Sequence, residues 1–347
     1  MHKVINKKDL IIIIQAPHEI IYALTLYEKY HKNTNLSIAV VKIKSSYQYL
    51  ETLNLNLSSL LFIPYPKIKS FYSLHSLINL KLAINRAIND NFSHVRNAQI
   101  YFFGNAFDYF TIPILLNLKA NNECTFLSSN AFNNDLNAAK NLNQYRIKDY
   151  LLLIIFWWLS GHKLDISIRN VILLIPEKHS IKFKLINDNP AEVLNKYSKV
   201  FEFKKPSILF FESPSASISI SNYQEVLLKI ISLLNKQDIN IYIKPHPQKG
   251  YSSFLEKTNV IILNQNIPGE LINTQNINLI LGINSSSIIK IAKKSPELRV
   301  FSLVELFSFY DSYNFVKTNA RNIIDNSTGI EIIHNIDDFE KIIKSIK

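Results

Sequence analysis

Ile239-Asn240-Ile241-Tyr242-Ile243-Lys244-Pro245-His246-Pro247 decides the fold of this chain. The five residues from Ile239 are mostly β-branched and apolar, and the two prolines that follow cannot extend a strand ladder. A short apolar run of this kind is what a parallel strand buried on both faces requires. The ammonium of Lys244 and the imidazole of His246 are therefore placed where the strand stops. Working outward, Ser207 to Phe211 predicts a preceding strand and Tyr223 to Leu234 an intervening helix. Val260 to Leu263 and Leu279 to Leu281 predict two further strands, the second ahead of a helix over Ile288 to Lys293. Strands alternating with helices define an α/β domain with a parallel sheet.

The first half repeats this grammar. Leu10 to Ile14 is uniformly apolar, Ile20, Ile21, Leu24 and Tyr27 recur at helical spacing, and Leu36 to Val41 reads as the next strand. Leu60 to Ile63, a helix over Ser73 to Ile88 and a strand over Ala98 to Phe103 continue it. The expectation is an α/β fold of two Rossmann-like domains, residues 1–190 and 191–347, with the crossing inside the proline-bearing, charged stretch Arg169 to Lys205.

The bulk numbers agree with two domains. The 347 residues exceed the usual size of one core, and 47% are hydrophobic, which argues against disorder. A formal net charge of +12 favours an anionic partner. The lysines are scattered and no nucleic-acid motif accompanies them, so nucleic acid is not the expected partner. The single cysteine, Cys124, excludes an intramolecular disulfide and any multi-cysteine metal site. Tyr150 to Leu159 is the most apolar stretch, but it falls well short of the roughly 20 residues that span a bilayer. It reads as a buried element, with Trp157 and Trp158 leaving membrane-surface contact as a second reading. A cytoplasmic protein, peripheral on the inner membrane at most, is expected.

Two features carry chemistry. Lys244-Pro245-His246-Pro247 follows a strand, at the sheet edge where open α/β folds bind ligands, and the prolines restrict the backbone on both sides of the imidazole. Such a histidine suits phosphate binding or leaving-group protonation; a turn residue satisfied by local hydrogen bonds is the plainer reading. Gly282-Ile283-Asn284-Ser285-Ser286-Ser287 also follows a strand and opens a helix, where hydroxyls and backbone amides form an anion site; ordinary capping is again the plainer reading. Both features lie at strand ends of the same half and so can grip one phosphate. With only 6 glycines, a dinucleotide-binding loop is implausible. Asp-x-Asp spacing near a strand end is missing, as metal-independent chemistry would have it.

A strand ending in Lys244-Pro245-His246-Pro247, followed by serines opening a helix, resembles the bacterial sialyltransferases, glycosyltransferase family 52 in particular. The segments Ile11 to Leu24 and Ile267 to Ala292 are similar to that family's opening and to its serine region. The resemblance implies a GT-B arrangement, two Rossmann-like domains facing a cleft, and inverting transfer from CMP-sialic acid to a cell-surface glycan or glycolipid. The donor would be held by the carboxy-terminal domain and the acceptor by the amino-terminal one, with no cofactor, the CMP-sugar being substrate. It implies that His246 contacts the donor phosphate and acts as general acid, and that Ser285 and Ser286 bind phosphate oxygens. Lys244, Pro247, Gly282, Asn284 and Ser287 would complete the donor side, Glu270 meeting a ribose hydroxyl or capping a helix.

The chain departs from the pattern in one place. Where related enzymes carry an acidic pair followed by glycine, this sequence reads Thr125-Phe126-Leu127-Ser128-Ser129-Asn130. An attacking alcohol must still lose its proton. Glu212, at the end of Ile208-Leu209-Phe210-Phe211, is the preferred base, ahead of Asp108, Asp135 and Glu225, with a turn cap as its other reading. Gln15, Pro17 and His18 follow the first strand and suit an acceptor role. Other readings are a Kdo or capsule-sugar transferase of the same fold, a catalytically weak nucleotide- or glycan-binding relative, and a membrane-surface scaffold; a homodimer is compatible with all of them.

Overall fold

A computed structural model describes residues 7–66, 73–103, 109–128, 182–185, 190–212, 216–283 and 285–346, with isolated positions at 155, 158, 159 and 214. Most of the apolar stretch 150–159 therefore lies outside the described residues, as do Asp108, Asp135, Ser129, Asn130 and Asn284. The chain divides into two compact units, Met1–Val193 and Leu194–Lys347.

The first unit holds β1 (Lys8–Ile14), β2 (Thr34–Val41), β3 (Ser59–Ile63), β4 (Gln99–Phe102), β5 (Glu123–Ser128) and β6 (Lys182–Leu185). They form one sheet in the order β3-β2-β1-β4-β5-β6, every pairing parallel. Leu10 through Ile14 are all buried, which explains why β1 lacks the alternation of a one-sided strand. Ile11 and Ile13 pack into a cluster with Ala39, Ile63, Leu80, Ile84 and Phe102, to which the helix Leu74–Phe92 contributes one face.

The second unit is a second parallel sheet built from β7 (Ser207–Phe211), β8 (Asn240–Lys244), β9 (Ile261–Ile262), β10 (Leu279–Gly282), β11 (Arg299–Ser302) and β12 (Glu331–Ile332), in the order β12-β11-β10-β7-β8-β9. The helix Tyr223–Lys236 buries Tyr223, Val226, Leu227, Ile230, Ile231 and Leu234, an i, i+3, i+4 stripe that seats it on Ile208, Phe210, Ile241 and Ile243. Strands β5, β6, β11 and β12 were not anticipated. The last three are two to four residues long, too short for an apolar period to register, and β5 mixes Glu123, Thr125 and Ser128 with its apolar residues. Edge strand β9 shrinks to two residues, against the four expected.

Candidate active site

In the second unit the chain runs outward from β7 through β8 to β9, then crosses back to begin β10 on the other side of β7. The connections that leave the neighbouring parallel strands β7 and β10 thus run to opposite sides of the sheet, and such a switch point opens a crevice at the carboxyl ends of the strands. Glu212 directly follows β7, Lys244 ends β8, and Gly282 ends β10, so three loops carrying the expected residues leave from one edge.

The His246 turn is closed on itself. His246 donates its backbone N–H to Gly250 O at 2.8 Å and accepts from Gly250 N at 2.9 Å. Gly250 takes φ +71°, a left-handed conformation that costs other residues energy and that this five-residue return needs. Nδ1 of His246 accepts from the backbone amides of Gln248 at 3.1 Å and Lys249 at 3.3 Å. With Nδ1 an acceptor, the proton of the neutral ring sits on Nε2, which becomes a hydrogen-bond donor. Burial, then the charges of Lys249 and Lys244, hold the imidazole pKa below its ordinary value. The half-buried ring is therefore a neutral donor near pH 7, better suited to grip a phosphate oxygen than to surrender a second proton.

Lys244 is not on the surface. It is 3% exposed and donates to Pro245 O at 2.7 Å and Gln265 O at 3.2 Å, fastening the His246 turn to the loop after β9. Burial pushes its pKa down to about 8 against the pull of Glu270. Glu270, itself buried, lies in the 3-10 turn Gly269–Leu271 and pairs with Lys290 Nζ at 3.3 Å. Lys290 belongs to the helix Ser286–Lys294, so the ion pair ties that turn to the serine helix. The approach is close: a Cβ on Gly269 would stand 2.6 Å from Phe211 Cε1 and 2.8 Å from Ser287 Oγ. Gly282 permits a similar approach, since a Cβ there would meet Ile288 at 3.1 Å.

Ser285 caps the serine helix, its Oγ accepting from Ser287 N at 3.2 Å. Capping and anion binding are compatible, because the helix still presents the positive end of its dipole and the N–H of Ser286 at the same crevice. Ser286 and Ser287 occupy the first two positions of that helix. Pro247 lies within the His246 turn and is partly exposed.

Glu212 lies on the same edge but is buried, 3% exposed. Its carboxylate accepts from Tyr223 OH at 2.8 Å, Ser252 Oγ at 2.6 Å and Ser252 N at 3.2 Å. Burial raises its pKa, and these hydrogen bonds lower it in part. Glu225 is exposed in the first turn of the helix Tyr223–Lys236.

In the first unit the switch point falls between β1 and β4. Gln15 follows β1 there, and its Nε2 is buried without a hydrogen-bond partner. Glu19 reaches back from the first helical turn to accept from Gln15 N at 2.5 Å and Ala16 N at 3.1 Å. Cys124 is buried, its thiol pushed up to about 12 by burial, and has no nucleophilic character. Among the described residues, three or more His, Cys, Asp or Glu side chains nowhere gather as a metal site, and no helix is long and apolar enough to cross a membrane.

Residues 173–305 match the family described as alpha-2,8-polysialyltransferase (POLYST). The matched stretch is less than half of the chain, yet it contains every loop of the second unit's crevice, from Glu212 to Ser287. It supports a sialyltransferase-like glycosyltransferase; the likeness to family 52 remains a resemblance. Solved structures with the same fold include a UDP-N-acetylglucosamine 2-epimerase from Rickettsia bellii, 12% identical, covering 98% of this chain and 88% of the other at a TM-score of 0.50. Another UDP-N-acetylglucosamine 2-epimerase is 11% identical, covering 98% and 87% at 0.52. CalG4, the calicheamicin glycosyltransferase, is 8% identical, covering 98% and 90% at 0.50. These likenesses fix the architecture, two parallel-sheet domains of the GT-B type. Among curated proteins, no sequence matches significantly.

Sequence reasoning missed Tyr223, Ser252, Gln265 and Glu19. The first three were invisible because their partners are 11 to 40 residues away in the chain. Glu19 had a legible signal, an acidic residue in the first turn of a helix that directly follows β1.

Proposed function

We propose that this chain transfers sialic acid from CMP-sialic acid to a cell-surface glycan, with the donor bound in the crevice of the second unit. The observation that carries the reading is the polysialyltransferase match over 173–305, because it spans the loops that bring His246 and the serine helix to one sheet edge. Donor phosphate would lie between His246 Nε2 and the amino end of the helix Ser286–Lys294. Lys244 would supply positive charge from beneath the turn. Leaving-group departure needs charge stabilisation more than protonation here, since a phosphate monoester is a stable anion at neutral pH. Attack by the acceptor hydroxyl from the opposite face inverts the anomeric centre. The new C–O bond forms as the bond to the CMP oxygen breaks, CMP leaves as the phosphate monoester anion, and the hydroxyl proton is released through water, with no metal required.

The test is a transfer assay with CMP-sialic acid and a panel of sialylated and unsialylated glycans. Acceptor-dependent release of CMP is expected. Epimerisation of UDP-N-acetylglucosamine without CMP-sugar turnover would replace this reading with the one its fold relatives share.

A further inference from the structure

We propose that Glu212 is a positioning residue for His246, clasping both ends of the loop that carries it, rather than the base that the sequence pattern favours. The loop leaves β8 at Lys244 and ends at Ser252. At its start, the backbone N–H of Glu212 donates to Lys244 O at 3.1 Å. At its end, the Glu212 carboxylate takes both the N–H and the hydroxyl of Ser252. One residue thus fixes the width of the loop, and the paired hydrogen bonds between His246 and Gly250 then fix its apex. Gln248 N and Lys249 N lock Nδ1 of the ring, so Nε2 has a single direction.

Tyr223 anchors the clasp to the core. Its ring is fully buried against Phe307 and Phe254, and its hydroxyl donates to the Glu212 oxygen that also accepts from the Ser252 hydroxyl. A carboxylate so engaged and only 3% exposed cannot come within hydrogen-bond reach of an acceptor hydroxyl, which general-base work requires. Burying a charged group without compensation is costly, so three hydrogen bonds to it are a built feature and not incidental packing.

The inference bears on the donor site proposed above, but its primary test does not need catalysis. In protein carrying 15N-labelled histidine, long-range 1H–15N spectra report the tautomer of each ring. Wild-type His246 is expected as the pure Nε2–H tautomer, assigned by its loss in His246→Ala. Glu212→Gln and Ser252→Ala should both move that signal toward a mixture of tautomers, Glu212→Gln further. In the transfer assay, kcat should fall roughly 10- to 100-fold in Glu212→Gln and less in Ser252→Ala, the scale that misplacing a reacting group produces. Both should keep the acid limb of the pH profile. Unmoved His246 signals in both variants overturn the proposal. So does loss of the acid limb in Glu212→Gln together with wild-type rates in Ser252→Ala, which would make Glu212 the base. Absence of turnover by the wild type would sink the transferase reading alone, leaving the spectra to decide this one.

Discussion

Lys244 titrates within the range where the protein can be assayed, and the donor-site account depends on its charge. Burial holds its pKa at about 8. Between pH 7 and pH 9 the charged fraction therefore falls from ~0.9 to ~0.1. If the ammonium attracts the donor phosphate, CMP affinity drops by up to ~10-fold across this window, ~1.4 kcal/mol. Competing titrations are displaced from it: a phosphate monoester is already a dianion, with its second pKa near ~6, and the His246 pKa is lowered further from its neutral-range value. The sign for folding runs the opposite way. A lysine whose pKa is depressed in the folded state penalises folding below about pH 8, and the penalty fades as pH rises toward the unfolded value of 10.5. Calorimetric titration with CMP at pH 7, 8 and 9 measures the binding arm, with Lys244→Met as control. Affinity should fall with pH in the wild type and be weak and flat in the variant. A wild-type affinity unchanged from pH 7 to 9, or the same slope in Lys244→Met, would refute the reasoning.

Gly269→Ala forces a methyl against Phe211 and Ser287, and should cost ~1–3 kcal/mol in urea unfolding and weaken CMP binding as well. Gly250→Ala places a side chain at φ +71° and should destabilise by ~1–2 kcal/mol while lowering kcat, because the strain falls on the His246 turn. Ser285→Ala removes the helix cap and should cost ~1 kcal/mol in thermal unfolding. Gln15→Ala, which deletes a buried and unpartnered donor, should raise KM for the acceptor glycan and leave KM for the CMP-sugar unchanged.

The α/β architecture was legible because parallel strands buried on both faces leave continuous apolar runs; Leu10 to Ile14 and Ser207 to Phe211 are such runs, bounded by helical periods. The strand-end positions of His246, Ser285 and Glu212 followed from the same pattern. What each side chain does there was less accessible. Lys244 reads in sequence as a donor-side charge and Glu270 as a ribose contact or a helix cap; that both are buried and set near each other is the work of tertiary packing. Glu212 looked free to act because its partners, Tyr223 and Ser252, come from another helix and another loop. Hydrogen bonds across 40 residues leave no local trace in a sequence. The fold itself is shared with epimerases and transferases alike, so the chemistry is argued from the loops of the second unit and their family match.

In the proposed transferase, one crevice at the carboxyl edge of the second sheet holds the donor nucleotide. A crystal structure with CMP tests it most directly. A phosphate oxygen is expected within hydrogen-bond distance of His246 Nε2 and another at the amino end of the helix Ser286–Lys294. A nucleotide bound elsewhere, or bound with its phosphate remote from His246, would contradict it.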